Sequence, residues 1–325
     1  MNPAFSVIFL TTLIGVGQGL FLALFTQQSY ALFDLLPHQD AHFYGWGSLL
    51  ALLFTMAGLI ASFFHLGRPE RAWRATAQWR TSWLSREVIA LPVFMGMLFL
   101  YGVFHLSRFD PLLITLHSGL QIHATVILGW VATTLAFALF VSTGMIYTCL
   151  RFLQEWHTPF TVINFILLGG ASGFTLATLY AAVFAPSQVG FLGGWAFIIT
   201  LLGLLGRSAS LWRNAHLRPK STTQTAIGIN HPRIVQKSQG AMGGSFNTRE
   251  FFHGKSESFV SRMRVIFLLF AFAVPLLMLA VSFSYSSAWL LCVAFVLQYA
   301  GLLAERWYFF AEAKHPQNLY YQGMS

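Results

Sequence analysis

Eight separate apolar runs, each long enough to cross a bilayer, constrain this chain more than any other feature. They fall at roughly 4–26, 45–65, 88–107, 122–148, 160–184, 190–212, 265–283 and 287–311. A hydrocarbon layer is crossed by about 20 helical residues. Backbone N–H and C=O groups find no water there, so each crossing must satisfy them as a helix or within a closed barrel. Barrel strands read as short alternating segments, whereas these runs are long and continuous. The expected fold is all-α: a polytopic membrane protein with eight transmembrane helices, forming a single domain over residues 1–325. Composition agrees, with 56% hydrophobic and 9% charged residues and a mean hydropathy of +0.63. Soluble domains carry about 25% charged residues. A disordered chain, a secreted disulfide scaffold and a water-soluble two-domain enzyme are excluded.

Sidedness is read from the basic residues, because Lys and Arg accumulate in cytoplasmic loops. With eight spans, both termini and the even-numbered loops share one side. Loop two holds five arginines (Arg68, Arg71, Arg74, Arg80, Arg86), loop four holds Arg151, and loop six holds ten basic residues from Arg207 to Arg264. Arg306 and Lys314 follow at the C-terminal end, which makes eighteen of nineteen on one side. The other side has Arg108, with Asp34, Asp40 and Asp110. Long loops collect charge on either side, but loop two is short and still carries five arginines. Both termini are therefore expected in the cytoplasm, in a bacterial inner membrane, and the net charge of +9 becomes a basic face toward anionic membrane lipid. No nucleic-acid-binding module accompanies it. Met1 to Ser6 carries no Lys or Arg, so the chain is expected to enter the membrane by its first helix.

The one sizeable soluble portion is the basic segment 213–264, with Gly, Ser, Thr and Asn clusters from Gly240 to Thr248. Structureless loops of that length are uncommon unless functional or disordered. Phe246, Phe251 and Phe252 beside Arg249 and Glu250 suggest a docking surface. Segment 111–121 is expected either to extend span four or to lie in the interface.

The densest polar stretch is loop two, Phe64-His65-Leu66-Gly67-Arg68-Pro69-Glu70-Arg71-Ala72-Trp73-Arg74, continuing to Ser85-Arg86-Glu87. His65 falls where span two ends and Glu87 where span three begins, so both belong to one membrane level. A quinone needs such a place: an apolar slot for its tail and a proton donor or acceptor at each carbonyl oxygen. Imidazole titrates near neutral pH, and desolvation raises a carboxylate pKa at an apolar boundary. His65 and Glu87 are the candidate catalytic pair. Arg68 and Arg71 are candidates to hold the carboxylate ionised or polarise a quinone oxygen, and Trp73 completes the candidate quinone-binding set. Taken alone, His65 reads equally well as an interfacial side chain capping span two.

Other polar groups are weaker candidates. Tyr147, Asn164 and Gln298 lie in spans, where such groups also join helices. A bis-histidine haem b would draw on His105, His117 and His123. His117 and His123 are six apart, roughly 600° around a helix, so one helix cannot offer both to one haem, and haem is not the favoured reading. The two cysteines, Cys149 and Cys292, cannot supply a cage for an iron–sulfur cluster, and no molybdenum site is expected in this chain. Glu305 and Arg306 near the end of span eight could pair with each other. No acidic residue lies mid-span, which counts against an ion-coupled transporter.

Several of these residues carry a family resemblance. His65-Leu66-Gly67-Arg68-Pro69, then Arg71-Ala72, Ser85-Arg86-Glu87 and the Glu305-Arg306 ending resemble the membrane anchors of dimethyl sulfoxide reductase, the DmsC family. Loop six is similar to anchors of the cytoplasmic sulfite-oxidising molybdoenzymes, at Thr225-Ala226-Ile227-Gly228, His231-Pro232-Arg233 and Gly243-Gly244-Ser245-Phe246-Asn247-Thr248-Arg249-Glu250-Phe251-Phe252. So is the tail His315-Pro316-Gln317-Asn318-Leu319-Tyr320-Tyr321-Gln322.

The resemblance implies a three-part complex. A molybdopterin subunit would perform the substrate chemistry, a ferredoxin-like iron–sulfur subunit would conduct electrons, and this chain would anchor both and exchange electrons with ubiquinone or menaquinone. It also implies quinol binding at the positions of His65 and Glu87. Catalytic subunits of the dimethyl sulfoxide reductases face the periplasm, whereas the charge count puts loop two in the cytoplasm, which favours the sulfite-oxidising arrangement. The alternatives are a quinol-oxidising anchor of a reductase, an inert anchor and a transporter.

Overall fold

The computed structural model describes residues 1–117, 119–238, 249–285 and 287–321. Gly240 to Thr248 and Gln322, singled out in the sequence, lie outside them. Among the described residues, eight helices are long and apolar enough to span a membrane. They are α1 (Phe5–Leu32), α2 (Ala41–Phe63), α3 (Trp83–Leu106), α4 (Ala124–Thr148), α5 (Pro159–Phe184), α6 (Val189–Ala215), α7 (Glu257–Ser282) and α8 (Ala288–Glu312). The expected all-α polytopic fold is thus present. Seven of these helices pass at least one end of their apolar run, where polar residues serve the end turns, and α4 lies within its run. Asp40 caps α2 by accepting from the His42 N–H at 2.8 Å, Ser82 caps α3 at Ser85, and Thr158 caps α5 at Phe160.

Two departures from the sequence expectation follow from local chemistry. Segment 111–121 does not extend α4. Leu112–Thr115 and Gln121–His123 pair as a short antiparallel hairpin, turned at Gly119 with φ +83°. The ends of 213–264 are helical: α6 runs to Ala215, a one-turn helix spans Thr223–Ile227, and α7 starts at Glu257. Arg207, Arg213, Arg262 and Arg264 therefore sit on helices rather than in a loop.

The bundle is built around α1 and α5. In each, 72% of the most apolar window is buried, against 28–44% in the other six, so these two are enclosed and the rest face lipid. Their contact depends on glycine. A Cβ on Gly173 would overlap the backbone of Gly19 and Leu20, and one on Gly19 would overlap the Gly169 carbonyl. Gln298 and Asn164, functional candidates by sequence, join helices instead. Gln298 Nε2 donates to Thr200 Oγ1 at 3.2 Å and Asn164 Nδ2 to Ser210 Oγ at 2.8 Å. Beside Gln298, α7 opens into a π-helical turn at Leu269–Ala273, where the Ala271 backbone lies against Gly301.

The N-terminus, residues 313–321 and the described parts of loops two, four and six gather at one end of the bundle. There the N-terminal amine donates to the Ala313 carbonyl at 2.8 Å, and Asn2 N–H to the Glu250 carbonyl at 2.9 Å. The Phe251 ring stacks on His315 at 3.7 Å, Asn318 Nδ2 donates to the Phe251 carbonyl at 3.1 Å, and the Tyr320 hydroxyl donates to the Ala226 carbonyl at 2.8 Å. Phe251, read from sequence as part of a docking surface, is engaged by this chain's own tail.

Candidate functional site

Glu87 lies in the second turn of α3. Its Oε1 accepts a hydrogen bond from the Thr143 hydroxyl of α4. Thr143 is buried, and Glu87 is only partly exposed. Glu87 and Thr143 line a small cavity together with Thr11, Gln18, Phe140 and Phe165, drawn from α1, α4 and α5. Four of the lining residues (Thr11, Gln18, Glu87, Thr143) are polar and three (Ile14, Phe140, Phe165) are apolar, around a space of about 10 Å³, room for about one water.

His65 stands two residues past the end of α2, exposed, at the same end of the bundle as Glu87. Partial burial pushes its imidazole pKa below the ordinary value, so the ring is neutral at pH 7. Arg68, Arg71 and Trp73 follow at or within the 3₁₀ segment Pro69–Gln78, none of whose residues is buried. Arg71 pairs with Glu70 at 3.8 Å across two exposed side chains, and Arg74 lies 5.7 Å from the Trp73 ring centre. Arg86 folds the loop back onto α3: its Nε donates to the Trp79 carbonyl at 3.0 Å, its Nη2 to the Arg80 carbonyl at 2.8 Å, and it covers the Trp83 ring. Structure and sequence agree on the end of the bundle, but the groups form two layers. Glu87 lines an interior cavity; His65, Arg68, Arg71 and Trp73 form an exposed rim, and none of these four lines that cavity.

The sequence reading missed one interior group. Glu305 and Arg306 do pair, at 2.6 Å, but Arg207 joins them: its Nε lies 2.7 Å from Glu305 Oε1. The end of the apolar run near Arg207 points to loop six. Ser208, Ala209, Ser210, Leu211 and Trp212 continue the helical pattern past it, and that was the available signal.

The histidines weighed for haem lie at the opposite end. His105 is buried between Tyr44 and Tyr101, with ring centres 4.9 and 4.5 Å away. His123 Nδ1 is 3.0 Å from the Asp110 carbonyl oxygen, and His117 is exposed. Among the described residues no three His, Cys, Asp or Glu side chains converge as metal ligands would.

The family model described as the DMSO reductase anchor subunit (DmsC) matches residues 1–321. The chain is also 58% identical over 325 residues, covering 100% of both proteins, to a protein of Allochromatium vinosum named as a subunit of sulfite dehydrogenase. Eight apolar spanning helices fit a multi-pass anchor. By that match along its length, the chain belongs to the DmsC family of dimethyl sulfoxide reductase anchor subunits.

Proposed function

We propose that this chain is the membrane anchor and quinone-reducing subunit of a sulfite dehydrogenase. The observation that carries the sulfite reading is the end-to-end 58% identity to a protein bearing that enzyme's name. A molybdopterin subunit oxidises sulfite and water to sulfate, releasing two electrons and two protons. A ferredoxin-like iron–sulfur subunit passes the electrons to this chain's face, where ubiquinone or menaquinone takes up two electrons and two protons to become the quinol. The inert-anchor reading leaves Glu87 and its cavity without a role, whereas this reading gives them one.

Within that reading the rim and the cavity divide the work. Arg68, Arg71 and Trp73 receive the ring from the interface. His65, neutral at pH 7, takes a proton from water, and Glu87 hands protons to the quinone oxygen within its cavity. Thr143 orients the carboxyl by donating to one oxygen. The basic end of the bundle faces the cytoplasm of a bacterial inner membrane. Electrons and protons then arrive from the same side, and the step moves no charge across the membrane.

The test is mass spectrometry of the proteins that co-purify with the chain from its native membrane. Molybdopterin and ferredoxin-like partners, both without export signals, are the expected result. An exported catalytic partner would overturn the sidedness, and the lack of any redox partner would overturn the function.

A further inference from the structure

One buried donor is left over by the bundle's own pairing. Where α6 and α8 meet, Arg207 contacts Glu305 at 2.7 Å and Glu312 at 3.5 Å, while Arg306 Nε contacts Glu305 Oε2 at 2.6 Å. Arg207, Glu305 and Arg306 are at most 3% exposed. Charges this deep in a membrane bundle are costly unless paired, and they mark functional sites more often than structural ones. Pairing explains Arg207 and Glu305. It leaves Arg306 half explained: its guanidinium carbon lies 4.2 Å from the Phe165 ring centre and 4.9 Å from that of Phe309, but its Nη1 is buried with no protein partner. A guanidinium so placed has a donor to offer and cannot lose its proton.

What Arg306 faces is informative. It lines a cavity with Thr11, Gly15, Phe165 and Gly169, in which the two glycines leave part of the wall without side chains. Thr11 and Phe165 also line the cavity of Glu87. The two cavities thus share Thr11 and Phe165 in their walls, Glu87 lines one and Arg306 the other, and each holds about 10 Å³, room for about one water. Tyr147, four residues after Thr143 on α4, lies within electrostatic reach of both.

We propose that Arg306 is the second pole of the quinone site, binding the carbonyl oxygen remote from Glu87 and holding the negative charge that builds there. This rests on the quinone-reducing reading above. Iron–sulfur clusters deliver electrons singly, so charge reaches the ring oxygens before both protons do. Arg306 donates a hydrogen bond to that oxygen and keeps its own proton; the two protons that complete the quinol come by way of Glu87 and water. Glu305 and Arg207 are positioning residues that fix the guanidinium. A ring reaching both poles displaces the side chains of Thr11 and Phe165, which part the two cavities.

The test uses the intact membrane-bound complex with Arg306→Gln, Arg306→Lys and, in parallel, Glu87→Gln. Sulfite oxidation with an artificial acceptor reports assembly. Quinone reduction and fluorescence titration with the quinol mimic 2-heptyl-4-hydroxyquinoline N-oxide report the site. Arg306→Gln is expected to keep the artificial-acceptor rate and to lose at least about tenfold in mimic affinity and quinone turnover, the loss of one charge-assisted hydrogen bond. Arg306→Lys is expected to recover part of both, which a purely structural role would not give. If Arg306→Gln does not assemble, a raised KM for quinone in Arg306→Lys carries the test. Wild-type mimic affinity and wild-type KM in whichever Arg306 variant assembles would overturn the proposal. If Glu87→Gln weakens the mimic while Arg306 variants do not, only Arg306 is excluded; if neither does, the quinone reading itself falls.

Discussion

The two ends of this bundle are both polar, but their polar groups are arranged in different ways. At the hairpin end they mostly bind one another. Asp110 accepts from the Thr125 N–H at 2.9 Å and its hydroxyl at 2.8 Å, Gln28 Nε2 donates to Thr125 Oγ1 at 3.2 Å, Tyr101 donates to Gln28 Oε1 at 2.5 Å, and Tyr44 donates to Gln27. His105 and Gln188, whose buried Nε2 and Oε1 have no hydrogen-bond partner, are exceptions. At the end that carries the termini, Glu87 has a partner at one oxygen and a cavity beside it, Arg306 has a donor to spare, and His65 is exposed. Between the ends lie Phe21, Phe94 and Leu98, all at 0% exposure. The hairpin end is a clamp, and on the proposed function the other end is where quinone and protons would enter. The apolar layer between them argues for proton uptake from one side.

The largest expected effect that sharpens this contrast is on the buried ion cluster. Glu305→Gln leaves Arg207 and Arg306 without their shared carboxylate, and breaking such a pair costs about 3–5 kcal/mol. The complex is expected to lose its anchor during detergent extraction, read by size-exclusion chromatography. Next comes Glu87→Gln. Removing the proton-transferring carboxyl is expected to lower quinone reduction by about a hundredfold or more, while sulfite oxidation with an artificial acceptor stays at the wild-type rate. Equal loss of both activities would mean that Glu87 supports assembly rather than chemistry.

Much of this contrast is legible in the sequence, and the reasons are physical. Spans are legible because about twenty apolar residues in water have no alternative but a membrane. The level of His65 and Glu87 is legible because helix ends fall where apolar runs stop. Arg207 is not, since an arginine near the end of an apolar run reads the same whether it leaves the bundle or turns inward to Glu305. The cavity shared through Thr11 and Phe165 is not legible either. It depends on α1 and α5 approaching at Gly19, Gly169 and Gly173, a contact set by three-dimensional packing. The hairpin at 112–123 escaped because its apolar run resembles the start of a helix, and only Gly119 signals the turn.

Smaller effects test the clamp and the rim. Asp110→Asn at the hairpin end weakens two hydrogen bonds of a charged acceptor, a loss of about 1–3 kcal/mol. It is expected to lower the melting temperature by several degrees and leave quinone reduction unchanged. A fall in quinone turnover with an unchanged melting temperature would move the chemistry to the clamp. For His65, partial burial disfavours the charged ring and lowers its pKa. As pH falls through that lowered value the ring is held as imidazolium and takes up no further proton. The acid limb of quinone reduction is therefore expected below the ordinary imidazole value of about 6.5. It should vanish in His65→Gln, as a pH–rate profile of both proteins would show.

The most direct measurement is photo-crosslinking of the intact complex with an azido-quinone, followed by peptide mapping. Label is expected on α3 near Glu87 and on α4 near Thr143, and near Arg306 if the second pole is occupied. Label confined to the hairpin around residues 112–123, or to the Tyr44 and Tyr101 region of the clamp, would place the quinone at the wrong end and contradict the central claim.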